Sequence, residues 1–118
     1  MSFYRKQLGA QGEIAAGKFL QKCGYEIIKQ NYSNAIGEID IIARDKQELV
    51  FVEVKTRKND NFGLPVEAVN RIKKKKLFKT AQAYLSQYKL EDISCRFDVV
   101  SVKIEADNFN IELIKNVF

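Results

Sequence analysis

The chain has 118 residues, with 20 lysines and arginines against 15 acidic residues and no histidine. This length suits one domain over residues 1–118, and no apolar segment approaches the roughly 18–20 residues that span a bilayer. The lack of histidine excludes Ser-His-Asp and Cys-His catalysis and histidine-ligated zinc, so any metal would be a hard cation such as Mg²⁺ or Mn²⁺, held by carboxylates and carbonyls.

The first predicted element is a helix from about Tyr4 to Cys23, because small and apolar residues recur there at helical spacing. Gly24 is a natural stop. Three glycines lie inside this helix: Gly9, Gly12 and Gly17. Each costs about 1 kcal/mol relative to alanine, so we expect the helix to approach a sheet or a ligand closely. Glu13 lies on a flank that can face whatever the helix covers.

Three strands are predicted next, over Tyr25–Tyr32, Glu38–Arg44 and Leu49–Arg57. The second and third carry apolar residues on both faces, as central strands do when helices cover both sides of a sheet. A helix is then predicted from Arg71 to about Tyr88, followed by a hairpin of residues 95–105 and 109–117. The order αβββαββ predicts an α/β fold in which helices flank a central mixed β-sheet.

Three charged residues interrupt the two central strands: Asp40, Glu53 and Lys55. A four-residue hairpin loop between the strands would pair Arg44 with Leu49. In that register Asp40 lies directly opposite Glu53, with Cβ atoms about 4.5–5.5 Å apart. Two carboxylates this close repel each other unless they share a cation, and Lys55 is within reach of a metal-bound water or a phosphate oxygen. The alternative is a structural salt-bridged cluster at an exposed strand end.

The segments around these charges resemble those of the YraN family, in the same order: "GEIDIIARD", "LVFVEVKTRK", "FGLPVEAV", "KKKKLFKTAQAYL" and "RFDVV". Members of that family are predicted nucleases of the PD-(D/E)xK superfamily, similar to archaeal Holliday junction resolvases. The resemblance runs from Gly9 to Val100 and implies a restriction-endonuclease-like fold for the single domain. Ile39 replaces the proline of the superfamily's motif, at a position that varies.

The resemblance also implies roles for individual residues. Asp40 matches the motif aspartate, Glu53 the motif acid and Lys55 the motif lysine, while Glu13 matches a helix glutamate of the resolvase branch. All four would be catalytic, and the three acids would hold Mg²⁺ or Mn²⁺. Glu38 is an alternative or additional acid, but we interpret it as a polar strand-end residue that faces away from the partners of Asp40.

Basic residues crowd the start of the second helix. They are Arg71, Lys73, Lys74, Lys75, Lys76 and Lys79. Four consecutive lysines cannot share one helix face, so a solvated surface and contact with nucleic acid phosphates are balanced interpretations. Cations at a helix N-terminus are unfavourable with the helix dipole, which favours a polyanionic partner. Gln82 lies further along the helix and is a secondary candidate for the site, although a polar surface role is preferred.

Smaller features complete the sequence-based picture. "NDNFGLP" is interpreted as a loop over the site, in which Phe62 either stacks on a base or anchors the loop. Arg96 and Asp98 share a strand face and are expected to form a structural pair. Cys23 and Cys95 lack metal-ligand spacing and are interpreted as small buried hydrophobic residues. Together with the absence of a signal peptide, they favour a cytoplasmic protein without a membrane partner.

These patterns favour a Mg²⁺- or Mn²⁺-dependent endonuclease that hydrolyses phosphodiester bonds of DNA, including branched or structured DNA. The sequence does not separate DNA from RNA, and a homodimer would suit a junction with two symmetric cuts. The alternative is a catalytically weak module that binds nucleic acid or a protein partner on the same fold. The complete set of Glu13, Asp40, Glu53 and Lys55 favours the enzyme.

Overall fold

A computed structural model describes residues 3–58, 71–106 and 108–118. Helices and strands follow in the predicted order αβββαββ, with small shifts at their ends. They are α1 (Phe3–Lys22), β1 (Glu26–Ser33), β2 (Glu38–Asp45), β3 (Glu48–Arg57), α2 (Arg71–Gln87), β4 (Cys95–Glu105) and β5 (Asn108–Ile114). The predicted α/β architecture is confirmed, and it is compatible with a restriction-endonuclease-like fold.

The strands form one five-stranded sheet in the order β1-β2-β3-β4-β5. Neighbouring strands are antiparallel except for β3 and β4, which are parallel, so the sheet is mixed as predicted. A parallel pair needs a crossover connection, and α2 lies within the one that links β3 to β4. In the chain α2 therefore follows β3, and Glu53 and Lys55 lie in the C-terminal half of that strand.

Two core clusters cover the two faces of the sheet. The first packs α1 against the sheet through Ala16, Leu20, Ile41, Ala43, Val50, Val52, Val100 and Val102. The second packs α2 against it through Ala81, Tyr84, Ile42, Leu49, Phe51 and Phe97. Because β2 and β3 contribute to both clusters, the prediction that they are central strands covered on both sides is confirmed.

Close packing of α1 on β3 depends on Gly12. A methyl group added at Gly12 would overlap the side chain of Thr56 on β3, and one added at Gly17 would meet the Gln30 amide. The expected close approach is thus confirmed for these two glycines, whereas Gly9 has no neighbour within 4 Å of such a methyl group. The contact of Gly12 with Thr56 brings the neighbouring residue Glu13 towards the sheet.

Two predictions about burial are wrong. Cys23 and Cys95 are exposed, because they lie where α1 has just ended and where β4 begins. Tyr88, the approximate end of the predicted second helix, lies one residue beyond α2 and is 44% exposed. Within the part of the chain that the structure describes, no helix is long and apolar enough to cross a membrane.

Candidate active site

The sheet opens at one end between β2 and β3. The pairing of Arg44 with Leu49 is confirmed, and Asp45 also pairs with Glu48, so the turn is two residues shorter than expected. In the other direction the registered pairs end at Ile41–Val52. The next residues along the two strands are Asp40 and Glu53, while β3 continues alongside β4 as far as Arg57. We call the region of Glu38, Asp40 and Glu53 the open end.

A side chain replaces the missing strand partner at the open end. The amide N–H of Val54 donates a hydrogen bond to Oδ2 of Asp40 over 2.8 Å. This bond links β2 to β3 where the backbone ladder has stopped. It engages Oδ2 of Asp40, and within the described part of the chain no hydrogen bond reaches Oδ1.

Asp40 and Glu53 line one cleft, with a volume of about 710 Å³, between the open end and α2. Other walls come from the loop between β1 and β2 and from the first turns of α2. The residues that line the cleft are Ser33, Asn34, Ala35, Ile36, Gly37, Glu38, Asp40, Glu53, Lys73, Lys76 and Leu77. The two carboxylates are half-buried.

The surroundings of the two carboxylates disfavour two negative charges. Burial, together with the charge of Asp40, raises the pKa of Glu53 to about 7, although Lys73 and Lys55 act in the opposite direction. Burial also raises the pKa of Asp40, against the lowering effect of the Val54 hydrogen bond and Lys73. Two negative charges are therefore unfavourable at this position, and a divalent cation would offset the repulsion between them.

The donor set fits Mg²⁺ or Mn²⁺, because these hard cations are commonly bound by one or two carboxylates and several waters. Glu13 approaches from α1 and is half-buried. Burial and the charge of Asp40 raise its pKa, whereas a hydrogen bond with Asn31 lowers it. Among the described residues, no three acidic or cysteine side chains converge closely enough to form a metal site by themselves. Glu13 thus stands beside the pair of acids without completing a cage.

Lys73 has a stronger influence than Lys55 on the pKa values of the acids at the open end. It lines the cleft and lowers the pKa of both Asp40 and Glu53, whereas Lys55 is a smaller influence and acts on Glu53 alone. In the described ranges no salt bridge joins Lys55 to either acid, so the salt-bridged cluster considered above is not formed by Lys55. Sequence reasoning missed Lys73 as a neighbour of the acids, although the β3–α2–β4 crossover predicts that α2 starts near the end of β3.

The basic residues of α2 divide between different faces. Lys73 and Lys76 line the cleft, whereas Lys74 lies over the rings of two phenylalanines, 4.9 Å from the centroid of Phe118 and 5.8 Å from that of Phe78. Lys75 and Lys79 are exposed. Arg71 is the first residue of α2, but its side chain lies outside what the structure describes.

Three secondary candidates have different outcomes. Glu38 was expected to face away from the partners of Asp40, and this is wrong: it lines the same cleft and raises the pKa of Asp40. The reason is the strand period of 2, which places Glu38 and Asp40 on one face. Gln82 is exposed in a separate cleft beside Phe78 and Phe97, as the surface interpretation requires. Phe62 lies outside the described residues.

The loop between β1 and β2 also forms part of the site, and sequence reasoning treated it only as a connection. Oδ1 of Asn34 accepts hydrogen bonds from the amides of Ile36 and Gly37, over 2.9 and 3.1 Å. Nδ2 of Asn34 donates to the carbonyl of Thr80 on α2, over 3.3 Å. An asparagine three residues before a glycine is the signal that predicts such a turn.

Comparisons with known proteins agree over most of the chain. The profile of a family described as "Uncharacterised protein family UPF0102" matches residues 12–102. A UPF0102 protein of Syntrophus aciditrophicus is 46% identical over 110 residues, covering 93% of this chain and 87% of the relative. Relatives from Clostridium acetobutylicum and Clostridium beijerinckii are 43% and 42% identical, over 96% and 100% of this chain and 94% and 98% of their own lengths. The profile spans the candidate residues from Glu13 to Gln82.

Proposed function

The chain belongs to the UPF0102 family, the YraN family that its segments resemble, and we propose that it is a divalent-metal-dependent endonuclease acting on phosphodiester bonds of DNA. One observation supports this proposal more strongly than the others. Asp40 and Glu53 are half-buried at the point where the sheet opens, and burial raises the pKa of both; the charge of Glu38 adds to the rise at Asp40, and the charge of Asp40 adds to the rise at Glu53. Because a buried charge without compensation is costly, this arrangement supports a cationic ligand.

Asp40 and Glu53 would hold Mg²⁺ or Mn²⁺, and Glu13 would bind it directly or through a bound water. When bound, the ion supplies a water of lowered pKa and neutralises charge on the phosphate. Lys55, two residues beyond Glu53 on the same strand face, would orient the attacking water or stabilise the phosphate in the transition state. Lys73 and Lys76 would hold phosphate oxygens at the wall of the cleft.

A second function is a nucleic-acid-binding module with little catalytic activity. It is supported by the same cleft, because the described residues contain no ready-made group of three metal-binding side chains. The lysines of α2 would then bind phosphates, and the carboxylates would modulate that binding. This alternative predicts salt-dependent DNA binding without metal-dependent cleavage.

Cleavage assays separate these functions. Linear, flapped and branched DNA, with RNA versions of each, are incubated with the protein in Mg²⁺, in Mn²⁺ and in chelator. Glu53→Gln should reduce metal-dependent cleavage by at least about 10³-fold while DNA binding in Ca²⁺ is retained. Glu112→Gln is the matched control, because Glu112 is an exposed glutamate on β5 that does not line the cleft.

Two separate results would contradict the proposed endonuclease activity of the open end. If wild-type protein binds DNA but cleaves none of these substrates with either metal, the binding module is the better description. If cleavage occurs but survives Glu53→Gln, then hydrolysis does not use the open end. Loss of cleavage in Glu112→Gln as well would show that the effect is not specific to the cleft.

A further inference from the structure

An isoleucine stands at the edge of the charged cleft. Ile36 lies in the loop between β1 and β2, it is 42% exposed, and it lines the cleft together with Asp40 and Glu53. Exposed single isoleucines are common on protein surfaces, so exposure alone assigns no role. The distinctive feature is the position, because Ile36 lies in a cleft that three carboxylates and two lysines also line.

The loop holds Ile36 in a fixed position. The Asn34 side chain accepts hydrogen bonds from the amides of Ile36 and Gly37, and the Asn34 amide donates to the carbonyl of Gly37 over 2.9 Å. The same side chain donates to the Tyr32 hydroxyl over 3.0 Å and to the Thr80 carbonyl over 3.3 Å. These bonds brace the loop against both β1 and α2.

Close packing adds to this bracing. A methyl group at Gly37 would lie 2.7 Å from Oγ1 of Thr80 and 3.2 Å from Cε of Lys76, so the loop backbone already lies against α2. Thr80 is fully buried and donates a hydrogen bond to the Lys76 carbonyl over 2.8 Å. Ile36 therefore projects from a support that resists displacement when a ligand is pushed against it.

The chemistry around Ile36 selects one kind of ligand. Lys73 and Lys76 line the same cleft and favour an anionic chain, whereas Ile36 favours an apolar surface that can leave water. DNA offers both, with phosphates on its backbone and flat apolar faces on its bases. Apolar side chains that enter between bases unstack them, and this is easier where stacking is already weak.

We propose that Ile36 is a wedge that enters a base step of DNA held at Lys73 and Lys76, and that it favours sites with weakened stacking, such as a mismatch. The proposal rests on the function proposed above and adds a specificity-determining residue to it. The phosphate contacts give affinity for any sequence, and the wedge gives the preference between stacked and unstacked steps. Removing the wedge should therefore change the preference without changing the salt dependence.

The test uses two short DNA duplexes that differ by one mismatch beside a 2-aminopurine, with binding measured in Ca²⁺. Wild-type protein should bind the mismatched duplex about 10-fold more tightly and increase 2-aminopurine fluorescence by unstacking it. Ile36→Ala should reduce this preference to less than about 2-fold, and Ile36→Met, which keeps an apolar side chain, should restore it. The matched control is Ile28→Ala, since Ile28 is 39% exposed on β1 and does not line the cleft.

Lys76→Ala separates the wedge from the phosphate contacts, because it should weaken binding to both duplexes equally and preserve their ratio. An Ile36→Ala protein that keeps the preference and the fluorescence increase overturns the wedge while leaving the proposed endonuclease intact. Equal binding of the two duplexes by wild-type protein does the same. Failure of wild-type protein to bind either duplex overturns both the wedge and DNA as the substrate.

Discussion

Acidic residues lie at both ends of the region where β2 pairs with β3. An arginine forms salt bridges with the acids at only one of these ends. At the end beside the turn, Arg96 forms salt bridges of 2.8 Å with Asp45 and with Glu48. We call this region the turn end. At the open end, Asp40 and Glu53 have no salt bridge with any described residue. Charges on the same pair of strands are thus compensated at one end and left to repel at the other.

The turn end shows what full compensation requires in this fold. Asp98 is 1% exposed, yet its carboxylate accepts hydrogen bonds from the Tyr25 hydroxyl, from Arg96 and from the Asn116 amide. Arg96 also donates to the Tyr25 hydroxyl over 2.6 Å, and it holds the pKa of Asp45 below its usual value. The predicted pairing of Arg96 with Asp98 is confirmed. A network of this kind leaves no site for a ligand, whereas the open end keeps one.

The largest effect should come from breaking the turn end. Arg96→Met removes the cation that three acids share and should lower the free energy of unfolding by about 3–5 kcal/mol, measured by urea denaturation. Lys115→Met is the control, because its ammonium lies 3.9 Å from Asp45 and its side chain is 57% exposed. The control should change stability by less than about 1 kcal/mol. Equal effects of the two substitutions would show that the network is not what stabilises this end.

The two ends should also respond to pH with opposite signs. The pKa of Glu53 rises from 4.5 to about 7 in the folded protein, so its protonated form favours folding. That stabilisation is fully present below pH 4.5 and is lost as the pH rises through about 7. The loss is on the order of 3 kcal/mol. The lowered pKa of Asp45 acts oppositely, because its contribution is present above the ordinary pKa and is lost as the pH falls.

Urea denaturation in chelator between pH 5 and 8 measures this difference. Stability attributable to the open end should fall over that range, and Glu53→Gln should flatten the fall because it removes the titrating group. A stability profile that is the same for wild type and Glu53→Gln would show that Glu53 does not hold a proton in the folded protein. Addition of Mg²⁺ should raise wild-type stability most at the upper end of the range.

A smaller effect should come from relieving repulsion at the open end. Asp40→Asn removes a charge and keeps an oxygen that can accept the Val54 hydrogen bond. In chelator it should leave stability unchanged or raise it by about 1 kcal/mol, while abolishing metal-dependent cleavage. Asp45→Asn at the turn end should instead destabilise the protein, since it weakens a pair with Arg96. Thermal melts of both variants in chelator measure these changes. A clear loss of stability in Asp40→Asn would favour the alternative in which the acids form a structural salt-bridged cluster.

Much of the fold could be predicted because its signals are local. Alternation along β2 and β3 predicts strands covered on both faces, and the turn between them fixes the pairing of Arg44 with Leu49. The same register makes Asp40 and Glu53 the next residues, one on each strand, after the pair of Ile41 with Val52. What the pattern does not show is that the ladder ends before them, because this depends on how the Asp40 side chain bonds to Val54.

Residues that reach the site from other elements were harder to predict. Lys73 and the loop around Asn34 meet at the cleft only because α2 packs on the sheet and Thr80 accepts a hydrogen bond from that loop. The prediction that Glu38 faces away from the partners of Asp40 was wrong because Glu38 was interpreted as a strand-end residue. The alternation of side chains along β2 already places it on the same face as Asp40. The exposure of Cys23 and Cys95 depends on where α1 ends and β4 begins, and helix ends carry weak sequence signals.

The smallest predicted effect concerns the lysines of α2. It tests whether DNA binds next to the open end. Lys73 and Lys76 line the cleft, whereas Lys75 and Lys79 are exposed without lining it. If each cleft lysine contacts one phosphate, replacing Lys73 and Lys76 with alanine should reduce the slope of log K against log salt by about 1.8. Replacing Lys75 and Lys79 removes the same charge and should change the slope less.

The salt dependence of DNA binding by these two double variants therefore distinguishes geometry from net charge. Equal reductions of slope would mean that the helix binds phosphates over its whole basic surface, and the cleft would lose its special role in binding. A reduction confined to Lys73 and Lys76 would place a phosphate chain next to Asp40 and Glu53. A polyanion at that position adds negative charge to two acids that already repel each other, so a divalent cation should then strengthen DNA binding at the open end. The turn end, where Arg96 already compensates the acids, gives no reason for such a dependence on metal.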